Sequence, residues 1–292
     1  MKKYFFYLGI AARLFGDHFL SFVIPCYNCE PWIAQAVESI YQQSLPCPFE
    51  IVCTDDGSTD GTWAALQMLS KQHPELHLFR HPRNRGGGAA RNTCVLQSQG
   101  DLIFCLDADN VLSPHSIPLL LDWLEQGGYD IVGFAVAQYF IGDFEKVGRS
   151  TYAYPGIDVF SLQDIVQNGD TPVWSGNYLY TKESYIKAGG YPEEWGALDT
   201  FTFGFHQVLR GAKMTVVPET FYWHRHGLQS YYVREALAKR LNVHFFQFLL
   251  SHEELFLPQS VKQIREQLHL ALAGEEFRDL QWVMGHGVLQ LW

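Results

Sequence analysis

No stretch of the chain reaches the roughly 20 consecutive apolar residues that a membrane-spanning helix needs. Positive charge is scarce: 21 Lys and Arg stand against 31 Asp and Glu, a formal net charge of -10. That balance excludes a general nucleic-acid binder, which needs a basic face. It also means that a phosphate-bearing ligand must be met by a metal ion, by local arginines or by helix N-termini. Charged residues make up 18% of the chain and apolar residues 47%, which excludes a disordered chain and supplies a globular core. Cysteine is absent beyond position 105, with all six at 26, 29, 47, 53, 94 and 105. Cys26 and Cys29 have redox-type spacing, yet no second Cys or Cys/His pair with zinc spacing follows. Cys53 and Cys105 sit in apolar strands as small hydrophobes. Reduced structural thiols and a cytoplasmic compartment are therefore expected. Internal repeats, low-complexity segments and a clear linker are missing too.

The first 13 residues imitate a signal peptide, but the apolar run is short and broken by Arg13. A strand that the domain needs follows almost at once. Residues 1–18 read as an N-terminal extension, compatible with peripheral contact at the inner surface of a membrane.

What the chain does have is a buried-strand signal that stops on acids. Leu102 to Leu106 is a continuous apolar run, followed by Asp107-Ala108-Asp109-Asn110. Side chains at i and i+2 on extended backbone share a face, so Asp107 and Asp109 are expected to converge. Hard divalent cations such as Mg²⁺ or Mn²⁺ take oxygen ligands of this kind, sharing them with phosphates. The competing reading is a polar strand-to-loop turn.

Around this strand the pattern alternates. Strands are predicted over 19–25, 49–54, 76–79 and 130–136. Helices are predicted over 30–43, after Asp60, over 89–97 and over 113–125. The rhythm specifies an α/β layered fold with a mainly parallel sheet, in which ligands gather outside the carboxyl ends of the strands. Tyr27-Asn28, Asp55-Asp56, Arg83–Arg85 and Asp107–Asp109 all fall on that side. Beyond Val136 the rhythm loosens. A hairpin is expected around Ile141-Gly142-Asp143, helices over 162–166, 182–187 and 199–209, a strand over 213–217, and helices from Ser230 onward.

Read as a set, Val23–Asn28 with Glu30, Asp55–Thr62, Asn84–Asn92 and Asp107-Ala108-Asp109 resemble the family 2 glycosyltransferases of the GT-A fold, in order and spacing. A weaker continuation runs through Ser175-Gly176-Asn177, Gly189–Pro192 and Trp223–Gly227. The resemblance implies a GT-A (Rossmann-like) three-layer α/β sandwich with a mixed, mainly parallel sheet over residues 19–228. A helical appendage, 229–292, completes the chain. It implies a nucleotide-diphosphate sugar donor, with UDP expected. The expected reaction is inverting transfer of a hexosyl or N-acetylhexosaminyl group to a glycan, lipid-linked or other acceptor hydroxyl. Pro25, Tyr27, Asp55 and Asp56 would belong to the nucleotide site, with Asp56 accepting a base N–H. Asp107 would face the ribose or the metal, Asp109 would bind Mg²⁺ or Mn²⁺, and Arg91 would donate toward phosphates or ribose. His226, in preference to His224, would close the metal site. The general base of the family lies in a late acidic pair, of which Asp199 remains here. Asp199 also reads as a helix N-cap, and Glu193 and Glu194 are the other candidates.

Three rival functions weigh less. In a dinucleotide-dependent oxidoreductase the third glycine of the fingerprint would stand where Arg91 is, and the turn would follow the first strand rather than the third. A non-catalytic sugar-nucleotide scaffold fits the thinned acidic pair but not the intact Asp107, Asp109 and Asp199. A nucleotidyltransferase would want a P-loop or a basic triphosphate run, and neither occurs.

Overall fold

The computed structural model describes residues 18–142, 144–151, 159–167, 169, 171–227 and 231–292. Nearly all of the predicted N-terminal extension lies outside them, as do Asp143 and Leu228–Ser230. The described residues contain nine strands, most of them apolar runs that end at turn residues: β1 Leu20–Cys26, β2 Phe49–Asp55, β3 Leu76–Arg80, β4 Leu102–Cys105, β5 Val111–Leu112, β6 Ile131–Ile141, β7 Glu145–Thr151, β8 Tyr178–Thr181 and β9 Met214–Arg225. They form one sheet in the order β3-β2-β1-β4-β8-β6-β9-β5, with β7 paired to β6. β3, β2, β1 and β4 run parallel, so their carboxyl ends share one edge. The crossovers carry helices α1 Ile33–Tyr41, α2 Thr62–Gln72, α3 Gly87–Gln97 and α4 Ser116–Gly127. Later helices are α5 Leu162–Gln167, α6 Lys182–Ala188, α7 Asp199–Leu209, α8 Tyr231–Leu237, α9 Arg240–Leu250, α10 Pro258–Ala273 and α11 Leu280–Gly285. No helix among the described residues is long and apolar enough to cross a membrane. All six cysteines are buried free thiols.

β8, β9 and α4 are among the elements that differ from the sequence expectation. β8 was not foreseen, because four residues buried on both faces show neither alternation nor length. It lies antiparallel between β4 and β6. Its two buried tyrosines reach Gln207 and Tyr191 with their hydroxyls, each at 3.2 Å. β9 continues eight residues past its predicted end at Val217, because a bulge absorbs Pro218 and Glu219, the latter at φ 62°. Thr220 repairs the ladder there, its hydroxyl accepting from Ala135 N–H at 3.2 Å. α4 starts at Ser116 rather than Ser113, since the Gln43 side chain accepts from the first helical amides, Ser116 and Ile117. The expected hairpin is present as β6–β7, pairing Ile141 with Glu145.

The helices beyond residue 230 share the core of the sheet domain. Phe248 of α9 packs edge-on against Phe201 and Phe205 of α7, with ring centroids 5.8 and 5.0 Å apart. Trp174 stacks on Phe201 at 4.3 Å. One turn beyond these rings, His206 and His252 bring their Nε2 atoms to 3.1 Å. The carbonyl of Phe248, 3.1 Å from His252 Nδ1, can only accept, so His252 carries its proton on Nδ1 and His206 donates from Nε2. Burial, then His252 and Arg210, pull the His206 pKa from 6.5 to about 4.

Between those values the unfolded chain binds a proton at this site that the folded chain refuses, so stability is lost as pH falls from 6.5 toward 4. The urea midpoint should therefore drop between pH 7 and pH 5, and His206→Gln should drop less. Equal shifts in both proteins would place the acid sensitivity elsewhere.

Candidate active site

The loops beyond the parallel strands are pinned to one another before any ligand arrives. Asn28, at φ 50°, donates from its N–H to Ser58 Oγ at 3.0 Å and accepts from Thr59 N–H at 2.9 Å. Asp55 is buried; it accepts from Ser58 N–H at 3.0 Å and pairs with Arg80 Nε at 2.9 Å. Gly57, at φ 71°, lets the following turn approach: a Cβ there would sit 2.6 Å from the backbone carbon of Arg83. Asp56 uses that closeness. Its buried carboxylate accepts from His81 Nδ1 at 2.6 Å, Arg85 N–H at 2.9 Å and Gly86 N–H at 2.8 Å. The predicted base reader thus also holds the glycine-rich turn, through a histidine that the sequence pattern did not single out. Pro25 lies in β1 opposite Thr54, and Tyr27 stands 44% exposed at the rim, a ring free to stack.

Arg91, on the second turn of α3, ties the acids together. Its Nη1 donates to Asp199 Oδ2 at 2.5 Å and its Nη2 to Asp107 Oδ1 at 2.6 Å. Asn177 fixes Asp107 from the other side, with Nδ2 donating to Oδ2 at 3.0 Å and Oδ1 accepting the Asp107 N–H at 2.9 Å. Glycine is required for this convergence. A Cβ at Gly87 would lie 2.6 Å from Asp199 Oδ2, and one at Gly176 would lie 2.7 Å from Thr200 Cγ2. Asp199 is the first residue of α7 rather than its N-cap, a position taken by Leu198, so the capping alternative is not what the structure displays. Burial pushes its pKa up; Arg91 opposes this and Asp107 adds to it, leaving a net upward shift. The other candidate acids, Glu193 and Glu194, are exposed. Glu193 is engaged by Arg85 and Asn92.

Asp107 and Asp109 do not sit on extended backbone as expected. β4 ends at Cys105, and Asn110 N–H closes a turn onto Asp107 C=O at 3.0 Å, so Asp107 opens a turn that contains Asp109 rather than the two alternating along a strand. They still feel each other: burial, then the charge of Asp107, pushes Asp109 up to about 7. Arg225 braces this turn, donating from Nε to Asp109 C=O at 3.0 Å and from its N–H to Asn110 Oδ1 at 3.0 Å. Its guanidinium lies over Phe140, 4.5 Å from the ring centroid. His226 is exposed, with its ring against Tyr139 at 5.9 Å. Its neighbour His224 is held by Tyr222, and burial pulls its pKa down to about 4. Among the described residues no three His, Cys, Asp or Glu side chains converge as a metal cage. The donor set nevertheless fits a hard divalent cation that shares its ligands with phosphate oxygens: Asp109 resists ionisation here, and a cation would relieve that.

A mixed α/β sheet with acids beyond its parallel strand ends defines a protein with a ligand crevice at that edge. The family model for glycosyl transferase family 2 matches residues 21–189, and the chain belongs to that family. It is 33% identical over 214 residues to a poly(ribitol-phosphate) β-glucosyltransferase of Bacillus spizizenii, a match covering 70% of this chain and 32% of the relative. The chain thus spans about a third of that relative's length, and 15% and 38% of two others. S. aureus TarS, solved with UDP, superposes with a TM-score of 0.61 at 18% identity over 92% of this chain and 89% of that one. A Pyrobaculum calidifontis mannosyltransferase, solved with GDP-Man and Mn²⁺, gives 0.58 at 18% identity over 98% and 78%. The fold is the GT-A fold.

Removing Arg91 would leave Asp107 and Asp199 facing each other across a crevice with no shared cation. Arg91→Ala should cost about 3–5 kcal/mol, the range for breaking a buried ion pair from one side. Urea denaturation at pH 7 measures it; a loss near zero would mean that water already screens the pair.

Proposed function

We propose that the chain transfers a hexosyl or N-acetylhexosaminyl group from a UDP-sugar to an acceptor hydroxyl with inversion. The observation that carries this reading is the Arg91 bridge, which groups Asp107 and Asp199 at the crevice where Asp109 lies. Pro25, Tyr27 and Asp55 would frame the nucleotide, and the base N–H would take a lone pair of Asp56 now shared with Arg85 and Gly86. Asp107 would face the ribose. A divalent cation, Mg²⁺ or Mn²⁺, held by Asp107 and Asp109 and closed by His226, would act as a Lewis acid for the charge that develops on the diphosphate. Arg91, with its Nε buried and unpartnered among the described residues, keeps a donor to offer toward the donor substrate. In the transfer, the acceptor oxygen bonds to the anomeric carbon, the bond from that carbon to the diphosphate breaks, and UDP leaves with the electron pair. The acceptor's proton goes to Asp199, whose upward-shifted pKa suits a general base.

The acceptor class is a glycan, a lipid-linked sugar or another polyol. The catalytic unit is 19–228, with 229–292 as the helical tail. The site of action is the cytoplasm, including the inner membrane surface. The scaffold reading, donor binding without transfer, is separated by Asp199→Asn. That variant should bind UDP close to parent affinity while UDP release from the donor in the presence of acceptor falls about 10²–10⁴-fold. Parental turnover would move the base to Glu193 or Glu194, and no turnover in the parent would favour the scaffold.

The metal assignment has its own test. Asp109→Ala should keep the melting temperature near the parent's and abolish the Mn²⁺ enhancement of UDP affinity in calorimetry. An enhancement that survives would remove Asp109 from the metal site.

A further inference from the structure

The segment that leads into Asp199 is touched by side chains from the C-terminal helices, beyond the segment matched by the family model. Trp195 precedes a single turn, Gly196–Leu198, which runs directly into α7 and Asp199. Gly196 is at φ 59°, and a Cβ there would lie 3.3 Å from both the Tyr231 hydroxyl of α8 and His244 Nδ1 of α9. The family model ends at residue 189, so both groups lie beyond the segment that it describes. Tyr231 is not core filler: it is 47% exposed. Burial, then the charges of Glu235 and Asp199, raise its hydroxyl pKa, which sets that phenol within the field of the Asp199 carboxylate. Trp195 is half-buried and anchored edge-on against Phe248 at 5.6 Å. Tyr191, by contrast, is fully used in the core, its ring 3.9 Å from that of Phe203, and is not available to a substrate.

We propose that Tyr231 and His244, beside Trp195, form the acceptor subsite, holding a polyhydroxylated sugar or polyol with one hydroxyl against Asp199. The chemistry matches such a ligand. An exposed aromatic ring stacks on the C–H face of a pyranose. A phenol and an imidazole each both donate and accept, which suits hydroxyls that do the same. The position matches as well. The proton acceptor must lie within hydrogen-bond reach of the attacking hydroxyl, and these two groups flank the turn that delivers it. Since Tyr231 and His244 flank the turn that delivers Asp199, the C-terminal helices contribute to acceptor choice.

This inference rests on Asp199 as the base of a UDP-sugar transferase, and the experiment separates the two. Parent, Tyr231→Phe and His244→Gln are titrated with UDP by calorimetry in Mn²⁺. UDP release from UDP-glucose and UDP-N-acetylglucosamine is then followed against methyl β-glucoside, methyl β-N-acetylglucosaminide and ribitol 5-phosphate. Tyr231→Phe keeps the ring and its packing, so a folded variant is expected, and its melting curve checks that. At least one probe should accelerate UDP release by the parent. Each variant should raise the KM for that probe about five- to tenfold, the size of one lost hydrogen bond, with UDP affinity held within about twofold. Unchanged KM in both variants, or no accelerating probe in a parent that binds UDP, overturns the subsite. A parent that binds no UDP overturns the donor assignment instead.

Discussion

The Arg91 guanidinium is the contact on which the crevice depends. Asp107 and Asp199 come from a strand end and a helix start far apart in the chain, and as carboxylates they repel. One planar fork on α3 reaches both, each with a short charge-assisted hydrogen bond. A lysine would bring its donors from one nitrogen on a flexible stem, without the rigid spread of the planar fork. Burying an arginine is costly unless it is fully paired, and the two acids are what make its burial tolerable. Gly87, Gly88 and Gly176 are the steric condition for this arrangement. Any side chain at the first would enter the space of Asp199 and Arg91, and one at the second would strike the Pro192 carbonyl.

The same balance shows how a chain of net charge -10 meets the acids gathered at this edge. Asp55 is met by Arg80, Asp56 by His81 and two amides, and Asp107 by Arg91 and Asn177. Asp109 stands apart. Arg225 bonds its backbone carbonyl, not its carboxylate, and its pKa rises to about 7 as a result of burial beside Asp107. Asp109 therefore sits where the proposed cation with phosphate co-ligands would relieve the cost of its charge.

Much of this was legible in the chain before any coordinates, and the reasons are local. Strand patterning located β1 to β4 and the acids that tip β2 and β4, and the predicted helix over 199–209 coincides with α7. Asp107 and Asp109 were visible because their motif is contiguous, and Arg91 because it stands inside the segment Asn84–Asn92. What stayed hidden was pairing across long distances: His81 on Asp56, Asn177 on Asp107, Arg225 under the Asp109 turn. A lone His or Asn in a loop carries no mark of the acid it will meet. β8 hid because burial on both faces erases alternation, and the long β9 hid behind Pro218, since a bulge looks like a stop in one dimension. The turn at Asp107–Asn110 reversed the geometric reason given for convergence while leaving the acids together.

The C-terminal helices then acquire a physical purpose. A general base works only when its carboxylate is held within a fraction of an ångström of the acceptor proton. α7 carries Asp199, the base we propose, at its first residue, and the helix is held at its start, middle and end. Arg91 fixes the start, Phe201 and Phe205 pack against Phe245 and Phe248 in the middle, and His206 meets His252 near the end. Two of those three restraints come from residues beyond 230. A helix gripped only at Asp199 would pivot about Arg91, and one gripped only by its aromatic face would leave the acid mobile. Fusing the tail into the core of the transferase domain removes both freedoms, and it does so from the side on which Tyr231 and His244 stand.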